Sequence, residues 1–467
     1  MNTSLGVIFG NRDFFPDHLV IEARQDILAL FKEMNIEAVM LDENETKLGS
    51  VETYAHAKAC VDLFKANRDR INGVLVVLPN FGDEKGVADT IKLSGLNVPI
   101  LVQAYPDNLD AFNVENRRDA FCGKISVCNN LRQYGYQYSL TSLHTSHPTS
   151  SSFKKDLRKF VSVCHTVKGL RSVRLGAIGA RPGAFNTVRY SEKILQTSGI
   201  TVTTVDLSEI FGNAERLSND APSVKAKLEE IYSYAKHDSV PTPAIVRMAK
   251  LGVVISDWME ANDLQATAIQ CWTSIQENYG INACTLMSMM SNQLMPSACE
   301  TDITGVVSMY ALQLASNSPG ALVDWNNNYA DDPDRCVLFH CGNWANSFVP
   351  NNEIKTAPIL GTTIGEENTF GAMAGRASAG PLTFARVSTD DTRGVIRTYT
   401  GEGQLTNDPL DTFGHRAVAY VPELQNLLKY ICKNGFEHHV AMTMGNVAEA
   451  LDETFTNYMG WENYNHS

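Results

Sequence analysis

The sequence predicts an α/β protein in which two doubly wound domains precede a β-rich domain. Short apolar runs alternate with helical segments through the N-terminal part of the chain, as expected for buried parallel strands. The polar segment 143–152 interrupts this alternation and indicates a linker or long loop. After about residue 349, glycine and threonine become frequent. We therefore expect domains at residues 1–150, 151–348 and 349–467.

In the first domain, strands and helices alternate along the chain. The apolar runs predict strands at residues 5–9, 38–41, 73–78 and 98–103. Apolar residues at helical spacing predict helices at residues 19–34, 54–67 and 85–93. This order is typical of a parallel sheet covered by helices.

The second and third domains differ in their element types. The second begins with a helix at 153–167, strands at 173–178 and 201–205, and a helix at 190–197, followed by long helices near 243–262 and 288–295. The third shows β-type runs at 357–360, 381–387, 394–400 and 417–421, which predict an antiparallel domain closed by helices at 423–433 and 447–458.

Composition and charge restrict the classes of function. The 467 residues carry 39 Lys and Arg against 52 Asp and Glu, a net charge of −13, which argues against nucleic acid as a partner. No apolar stretch is long enough to span a membrane. The ten cysteines form no CxxC pair and predict reduced core thiols. Without a secretory signal, we expect a cytoplasmic protein.

The glycine-containing loop after the strand at 173–178 does not match a nucleotide fingerprint. Gly176, Gly179 and Gly183 have the wrong spacing, and Pro182 interrupts them. The loop still follows a strand, where open α/β sheets bind ligands. Arg181 and Arg189 in this region are therefore candidates for substrate contact, although surface arginines on a structural turn explain them equally well.

Carboxylates and histidines between residues 296 and 343, and again near 439, form the strongest chemical signal. Glu300 lies between a small-residue run and an apolar helix, and Asp324 and His340 each end a strand-like run. Carboxylate and imidazole together suit Mn²⁺, Fe²⁺, Co²⁺ or Zn²⁺. Strand-end histidines are also typical of hydrogen-bonded core residues, and Asp324 also fits a helix cap. The residues alone leave both interpretations open.

At these residues the chain resembles the L-fucose isomerase and L-arabinose isomerase superfamily, in its fucose-isomerase-like branch. The similar pieces cover most of the chain, and they are the segments 9–16, 78–82, 178–189, 270–272, 298–302, 339–343 and 438–439. The resemblance implies two α/β domains, a C-terminal β-barrel-like domain and a hexamer. It also implies aldose–ketose isomerisation with a bound Mn²⁺-type ion.

The resemblance also assigns roles to residues of this chain. Glu300 and Asp324 match an acidic pair that binds the metal, and we expect the same two carboxylates to act as the acid/base pair. His439 matches a late histidine ligand, and we prefer it to His438. His340 matches a fourth ligand used in the arabinose branch, whereas Asp324 resembles the fucose branch. Direct ligation by His340 and an orienting role for it therefore both stay open.

The remaining motif residues are expected to form a sugar pocket. Trp272 and Trp344 offer flat apolar faces, and Gln270 and Asn343 offer hydrogen bonds to hydroxyls. Core packing is an equally good explanation of any one of them. Arg12 matches a family position that reaches into a neighbouring subunit's site, which implies a homo-oligomer.

Three other functions were weighed against a metal-dependent isomerase of a monosaccharide. An isomerase of an anionic hexose, such as sulfoquinovose, would use Arg12, Arg181 and Arg189 to pair with the acidic group. A non-catalytic sugar-binding protein would usually lack the acidic pair. A dinucleotide-linked dehydrogenase is disfavoured by the missing fingerprint.

Overall fold

A computed structural model describes residues 3–466, and the chain divides into two compact units. Unit 1 runs to Lys168 and includes Asn457–Met459, and unit 2 comprises Gly169–Thr456 and the segment from Gly460 onward. No helix among residues 3–466 combines the length and the apolar character needed to cross a membrane. The three expected domains and their boundaries stay a prediction.

Unit 1 contains a five-stranded parallel sheet in the order β2-β1-β3-β4-β5. Its strands are β1 (Thr3–Phe9), β2 (Ile36–Val39), β3 (Gly73–Leu78), β4 (Ile100–Ala104) and β5 (Ser139–Leu140). The helices in this part of the chain are α1 (His18–Met34), α2 (Tyr54–Ala66), α3 (Glu84–Ser94), α4 (Ala120–Gln133) and α5 (Ser151–Leu170). The strands β1, β3 and β4 are buried along their whole length, which explains their continuous apolar sequences.

The polar segment at 143–152 is a long loop that begins after β5 and leads into α5. Gln103 donates a hydrogen bond from Nε2 to the carbonyl of Ser146 at 2.7 Å, and both residues are buried. The loop is therefore tied to the end of β4.

Unit 2 begins with a four-stranded parallel sheet in the order β7-β6-β8-β9. Its strands are β6 (Arg174–Ile178), β7 (Thr201–Val205), β8 (Ala266–Ile269) and β9 (Ser297–Ala298). Its helices are α6 (Glu192–Thr197), α7 (Leu207–Arg216), α8 (Pro222–Tyr234), α9 (Thr242–Ala261), α10 (Ser274–Tyr279), α11 (Cys284–Asn292) and α12 (Ile303–Ser316). Because the strands are parallel, the residues that follow β6, β8 and β9 emerge at one edge of the sheet.

The rest of unit 2 is built on a nine-stranded mixed sheet in the order β12-β13-β16-β11-β10-β17-β14-β15-β18. Its strands are β10 (Ala321–Asn328), β11 (Arg335–His340), β12 (Glu353–Lys355), β13 (Ala372–Arg376), β14 (Gly380–Asp390), β15 (Val395–Thr406), β16 (His415–Tyr420), β17 (His439–Met444) and β18 (Glu462–His466). The late helices are α13 (Pro358–Ile364), α14 (Leu424–Asn434) and α15 (Ala448–Glu453), and a π-helical turn follows at Thr454–Tyr458.

The large sheet is mostly antiparallel, but β13 pairs with β16, and β15 with β18, in parallel. The expected antiparallel domain is therefore a mixed sheet in which antiparallel pairings predominate. The end of β15 also pairs with β16, through residues 404–406 and 418–420. The consecutive pairings from β16 through β11, β10, β17 and β14 to β15 therefore return to β16 and form a ring. The large sheet begins before the change in composition at 349. Its strands β10 and β11 precede that residue and pair with β17 and β16, which come about 80 to 120 residues later in the chain.

One expected strand is a helix. Residues 357–360 contain the start of α13, with Pro358 in its first turn. Proline lacks the N–H that a strand would pair, and its fixed φ suits the first helical position. The short apolar run was therefore misread because its period could not distinguish strand from helix.

Candidate metal centre

Unit 2 contains a cavity of about 290 Å³, which is at the lower end of the range for small-ligand sites. Its polar side chains include Glu300, Asp324, His340, His438 and His439. The apolar side chains that line it are Phe185, Trp272, Phe339, Pro358, Ile359, Leu360, Met373 and Phe413. No lysine or arginine lines this cavity among residues 3–466.

Strand pairing explains how three of the polar residues meet. Asp324 on β10 lies directly opposite His439 on β17, so residues distant in sequence become cross-strand neighbours. His340 is the last residue of β11, which pairs with the other edge of β10. His340 ends its strand, as the sequence indicated, whereas Asp324 lies in the middle of β10, which continues to Asn328.

Glu300 reaches the same place from the parallel sheet, in a turn between β9 and α12. Its φ is 56° and that of Thr301 is 55°, so two consecutive non-glycine residues adopt the left-handed conformation. Such conformations are unfavourable and cluster at functional sites. The turn is held by a hydrogen bond from the N–H of Thr301 to the carbonyl of Ile269 at 3.1 Å, and Asp302 caps α12 by accepting the N–H of Gly305 at 2.8 Å.

Carboxylate and imidazole atoms approach one another in two overlapping groups that share His439, namely Glu300, His340 and His439, and Asp324, His438 and His439. Nε2 of His439 lies 3.5 Å from both Glu300 Oε2 and Asp324 Oδ1, and Nε2 of His340 lies 3.7 Å from Glu300 Oε2. Two ligand atoms at about 2.1 Å from one ion are separated by about 3.0–3.5 Å. Glu300 Oε2 is buried and has no hydrogen-bond partner. The residues therefore fit a divalent cation, which would satisfy this oxygen.

The electrostatics of Glu300 favour the same interpretation. Burial raises the pKa of Glu300, and the neighbouring His340 and His439 offset this only in part. Its other oxygen, Oε1, accepts a hydrogen bond from Trp272 Nε1 at 3.0 Å. A buried carboxylate with one unpaired oxygen is stabilised in its charged form by a bound cation.

A buried ionic network orients His439. Asp302 Oδ2 accepts a hydrogen bond from His439 Nδ1 at 2.9 Å, which leaves the lone pair of Nε2 facing Glu300 and Asp324. Arg386 donates two hydrogen bonds to Asp302, at 2.6 and 3.0 Å, and one to Glu437 at 3.2 Å. Both Asp302 and Arg386 are fully buried.

This network also sets the charge of Asp302. Burial alone would raise the pKa of Asp302, but the Arg386 guanidinium and the hydrogen bond from His439 outweigh burial and hold that pKa far below its usual range. Asp302 and Arg386 are not among the site residues predicted from the sequence. The sequence feature that could have indicated this network is Arg386, because an arginine within an apolar strand requires a buried partner of opposite charge.

The two adjacent histidines differ in their surroundings. His438 Nε2 lies 3.6 Å from Asp324 Oδ1, but this side chain is 43% exposed. His439 is 1% exposed and contacts both Glu300 and Asp324. Burial lowers the pKa of His438 to about 4. The geometry thus gives His439 the fuller set of contacts.

Of the expected sugar-pocket residues, the structure brings Trp272 to the cavity and does not bring the others. Trp344 is completely buried, and its Nε1 donates to the carbonyl of Leu322 at 2.8 Å, so neither ring face is available to a ligand. Its neighbour Asn343 is also completely buried. Gln270 accepts the N–H of Ala180 at 2.8 Å and so links the loops after β6 and β8.

The arginines are likewise engaged elsewhere. Arg181 donates from Nη1 to the carbonyl of Pro182 at 3.0 Å, and Arg189 is exposed and bonds the carbonyl of Asn186 at 3.1 Å. Arg12 lies in unit 1, where it forms an ion pair with Glu84 and stacks over Phe81.

Both ends of the chain match family models of known proteins. Residues 6–171 match the family model for the fucose/sulfoquinovose isomerase N-terminal domain, and residues 338–466 match that for the L-fucose isomerase C-terminal domain. Sulfoquinovose isomerase from Alkalicoccus urumqiensis is 24% identical over 339 residues, which are 72% of this chain and 74% of that protein. Sulfoquinovose isomerases from Priestia megaterium and Clostridium sp. are also 24% identical, over 345 and 348 residues, with the same coverage.

A solved structure, an ABC transporter solute-binding protein from Burkholderia multivorans, is 7% identical and covers 68% of this chain and 95% of its own. Its TM-score of 0.18 is too low to support any argument.

Fold and site together describe an α/β protein with an acidic and histidine-rich cavity of small-ligand size, whose residues could hold a cation. The chain belongs to the fucose isomerase family of aldose–ketose sugar isomerases. The family and the class of reaction expected from the motifs are confirmed.

Proposed function

We propose that the protein isomerises its sugar at a divalent-cation site formed by Glu300, Asp324 and His439, with His340 beside it. The observation that carries this proposal is the approach of His340 and His439 to the unpartnered oxygen of Glu300, with Asp324 next to the same nitrogen of His439. Carboxylates with imidazole nitrogens suit Mn²⁺, Co²⁺, Fe²⁺ or Zn²⁺, and Mn²⁺ is the ion that the family resemblance implies. When bound, the cation supplies Lewis-acid polarisation of the sugar oxygens.

The chain's own residues then manage the protons. Moving a carbonyl between C1 and C2 requires a base to take a carbon-bound proton and return it to the neighbouring carbon. Glu300 and Asp324 are the carboxylates that line the cavity, and we assign them this acid/base work. Trp272 fixes Glu300 by its 3.0 Å hydrogen bond and presents an apolar wall to the sugar.

For the substrate, we propose a sulfonated hexose such as sulfoquinovose first and a neutral aldose second. The names of the curated relatives support the first. The lining of the cavity supports the second, because no lysine or arginine among residues 3–466 is present there to pair with a sulfonate. A sulfonated substrate would therefore need a positively charged side chain from outside this cavity to pair with its sulfonate.

Arg12 is the residue we propose for that role, supplied by a neighbouring subunit of a homo-oligomer, with a hexamer as the expected assembly. Arg181 would contribute by moving away from the Pro182 carbonyl. We also propose that the ring of pairings from β16 to β15 makes the C-terminal sheet barrel-like. The ten cysteines, all free in the structure, support a reducing cytoplasmic location.

A panel of three sugars tests the substrate. Mn²⁺-loaded protein is incubated in D₂O with sulfoquinovose, 6-deoxyglucose (the same sugar without the sulfonate) and L-fucose, and ketose formation is followed by NMR. Sulfoquinovose turnover with much lower kcat/KM on 6-deoxyglucose would support the sulfonated substrate. The reverse ranking would support a neutral one.

Glu300→Gln tests the catalytic assignment. This variant keeps the shape of the side chain but removes its charge, so we expect turnover to be lost while the fold is retained. The matched control is Glu462→Gln, which removes an exposed carboxylate of the same unit that pairs with Arg393. Normal turnover by Glu300→Gln would refute the assignment.

A further inference from the structure

Four cysteine thiols meet beside the proposed metal centre although they come from four separate segments. Cys271 follows β8, Cys284 begins α11, Cys299 follows β9 and Cys341 follows β11. The Sγ atom of Cys299 lies within 4.8 Å of those of Cys271 and Cys341, and Cys284 Sγ is 3.6 Å from Cys341 Sγ. The isomerisation proposed at the carboxylates uses none of these thiols.

The spacing of three of these thiols is that of a metal site. The Sγ atoms of Cys284 and Cys341 are 3.6 Å apart, and Cys341 Sγ is 3.4 Å from His340 Nδ1. The ligand atoms of Cys299, His340 and Cys341 all lie within 4.8 Å of one another. Tetrahedral bonds of about 2.3 Å to sulfur place ligand sulfurs about 3.8 Å apart. The separations of Cys341 Sγ from Cys284 Sγ and from His340 Nδ1 are therefore close to those of ligands on one ion.

His340 stands between the two groups of ligands. Its Nε2 faces Glu300 Oε2, whereas its Nδ1 faces the thiols. Nδ1 accepts the backbone N–H of Cys341 at 2.9 Å, so its lone pair points to the side of the cluster. An ion bound there would replace this hydrogen bond.

An ion can reach the cluster through the cavity. Cys284 and Cys299 are 2% and 0% exposed, but Cys341 is half-buried and lines the cavity. Thiolates select soft cations, whereas carboxylates with imidazole accept harder ones. The two neighbouring groups of ligands therefore differ in the class of ion that they prefer.

We propose that Cys284, Cys299 and Cys341, with Nδ1 of His340, form a second cation site for a thiophilic ion such as Zn²⁺ or Cd²⁺. Each thiol that ligates releases its proton to water. Cys299 immediately precedes Glu300, and Cys341 immediately follows His340. An ion in this site would therefore fix the backbone on both sides of the metal centre.

Cadmium titration of the full chain tests the site. The reference protein carries Cys122→Ser and Cys432→Ser, which remove the two exposed thiols, and it is reduced and saturated with Mn²⁺. We expect about one equivalent of Cd²⁺ to produce a sulfur-to-cadmium charge-transfer band with the intensity of three thiolates. Absence of a saturable band would overturn the proposal.

Single variants locate the ion. Cys284→Ser and Cys341→Ser should each reduce the band to about two thirds and weaken Cd²⁺ binding. The control is Cys336→Ser, a buried thiol on β11 outside the cluster, which should leave the band unchanged. Circular dichroism verifies the fold of each variant, and the half-buried Cys341 serves if Cys284→Ser does not fold.

A full band in both cluster variants, or an equal loss in the Cys336 control, would refute the site. The band does not depend on turnover, so this result is independent of the sugar isomerase assignment.

Discussion

Asp302→Asn is the perturbation that most directly tests how the fold prepares the metal centre. Asp302 accepts the Nδ1 proton of His439 and is held by two hydrogen bonds from Arg386. The substitution preserves size and removes the charge. Asparagine caps helices about as well as aspartate, so the start of α12, where Asp302 accepts the N–H of Gly305, should survive.

Two magnitudes follow from these contacts. Arg386 is fully buried and would keep only Glu437 as a charged partner, and breaking a buried ion pair from one side costs about 3–5 kcal/mol of unfolding free energy. Loss of a carboxylate behind a metal-binding histidine weakens the metal by about 10–100-fold. We expect both effects in Asp302→Asn.

The assay measures Mn²⁺ affinity by calorimetry and unfolding by denaturant on the same preparations. The matched control is Glu437→Gln, which also removes a charge from Arg386 but has no hydrogen bond with His439. It should lose stability while keeping most of its Mn²⁺ affinity. Equal weakening of Mn²⁺ in the two variants, or an unchanged affinity in Asp302→Asn, would show that Asp302 does not position His439.

Three further predictions concern Lys124, the two tryptophans Trp272 and Trp344, and removal of the ion. Burial lowers the pKa of Lys124 to about 8. Between that pH and about 10.4 the unfolded chain binds this proton and the folded chain does not, so the free energy of unfolding should rise with pH by roughly 3 kcal/mol. Thermal melting at a series of pH values should show that this rise is lost in Lys124→Met. Trp272→Phe should lower kcat/KM about tenfold by removing the hydrogen bond to Glu300, whereas Trp344→Phe should lower the melting temperature and leave KM unchanged, because its ring is fully buried. Chelation of the ion should abolish turnover and lower the melting temperature. Mn²⁺ at about 100 times its dissociation constant should then raise the free energy of unfolding by roughly 2.7 kcal/mol. A melting temperature that does not respond to Mn²⁺ would contradict binding at the proposed centre.

The sequence by itself determined the parallel sheets. The strands β1, β3 and β4 are continuous apolar runs because both faces are covered, and this pattern depends on local composition alone. The motifs also determined the family, because the residues that carry chemistry stand within or beside apolar strands, where their types are unusual. Glu300, Asp324, His340 and His439 could be singled out for that reason, while their roles stay proposals.

Only the tertiary structure decided which residues meet. Asp324 and His439 are neighbours because β10 pairs with β17, and Arg386 reaches Asp302 across 84 residues of sequence. Tryptophan is a residue type expected in a sugar pocket, but Trp344 follows β11 and its side chain lies inside the core. Long-range pairing and burial depend on the packing of distant segments, which no local pattern of residues records.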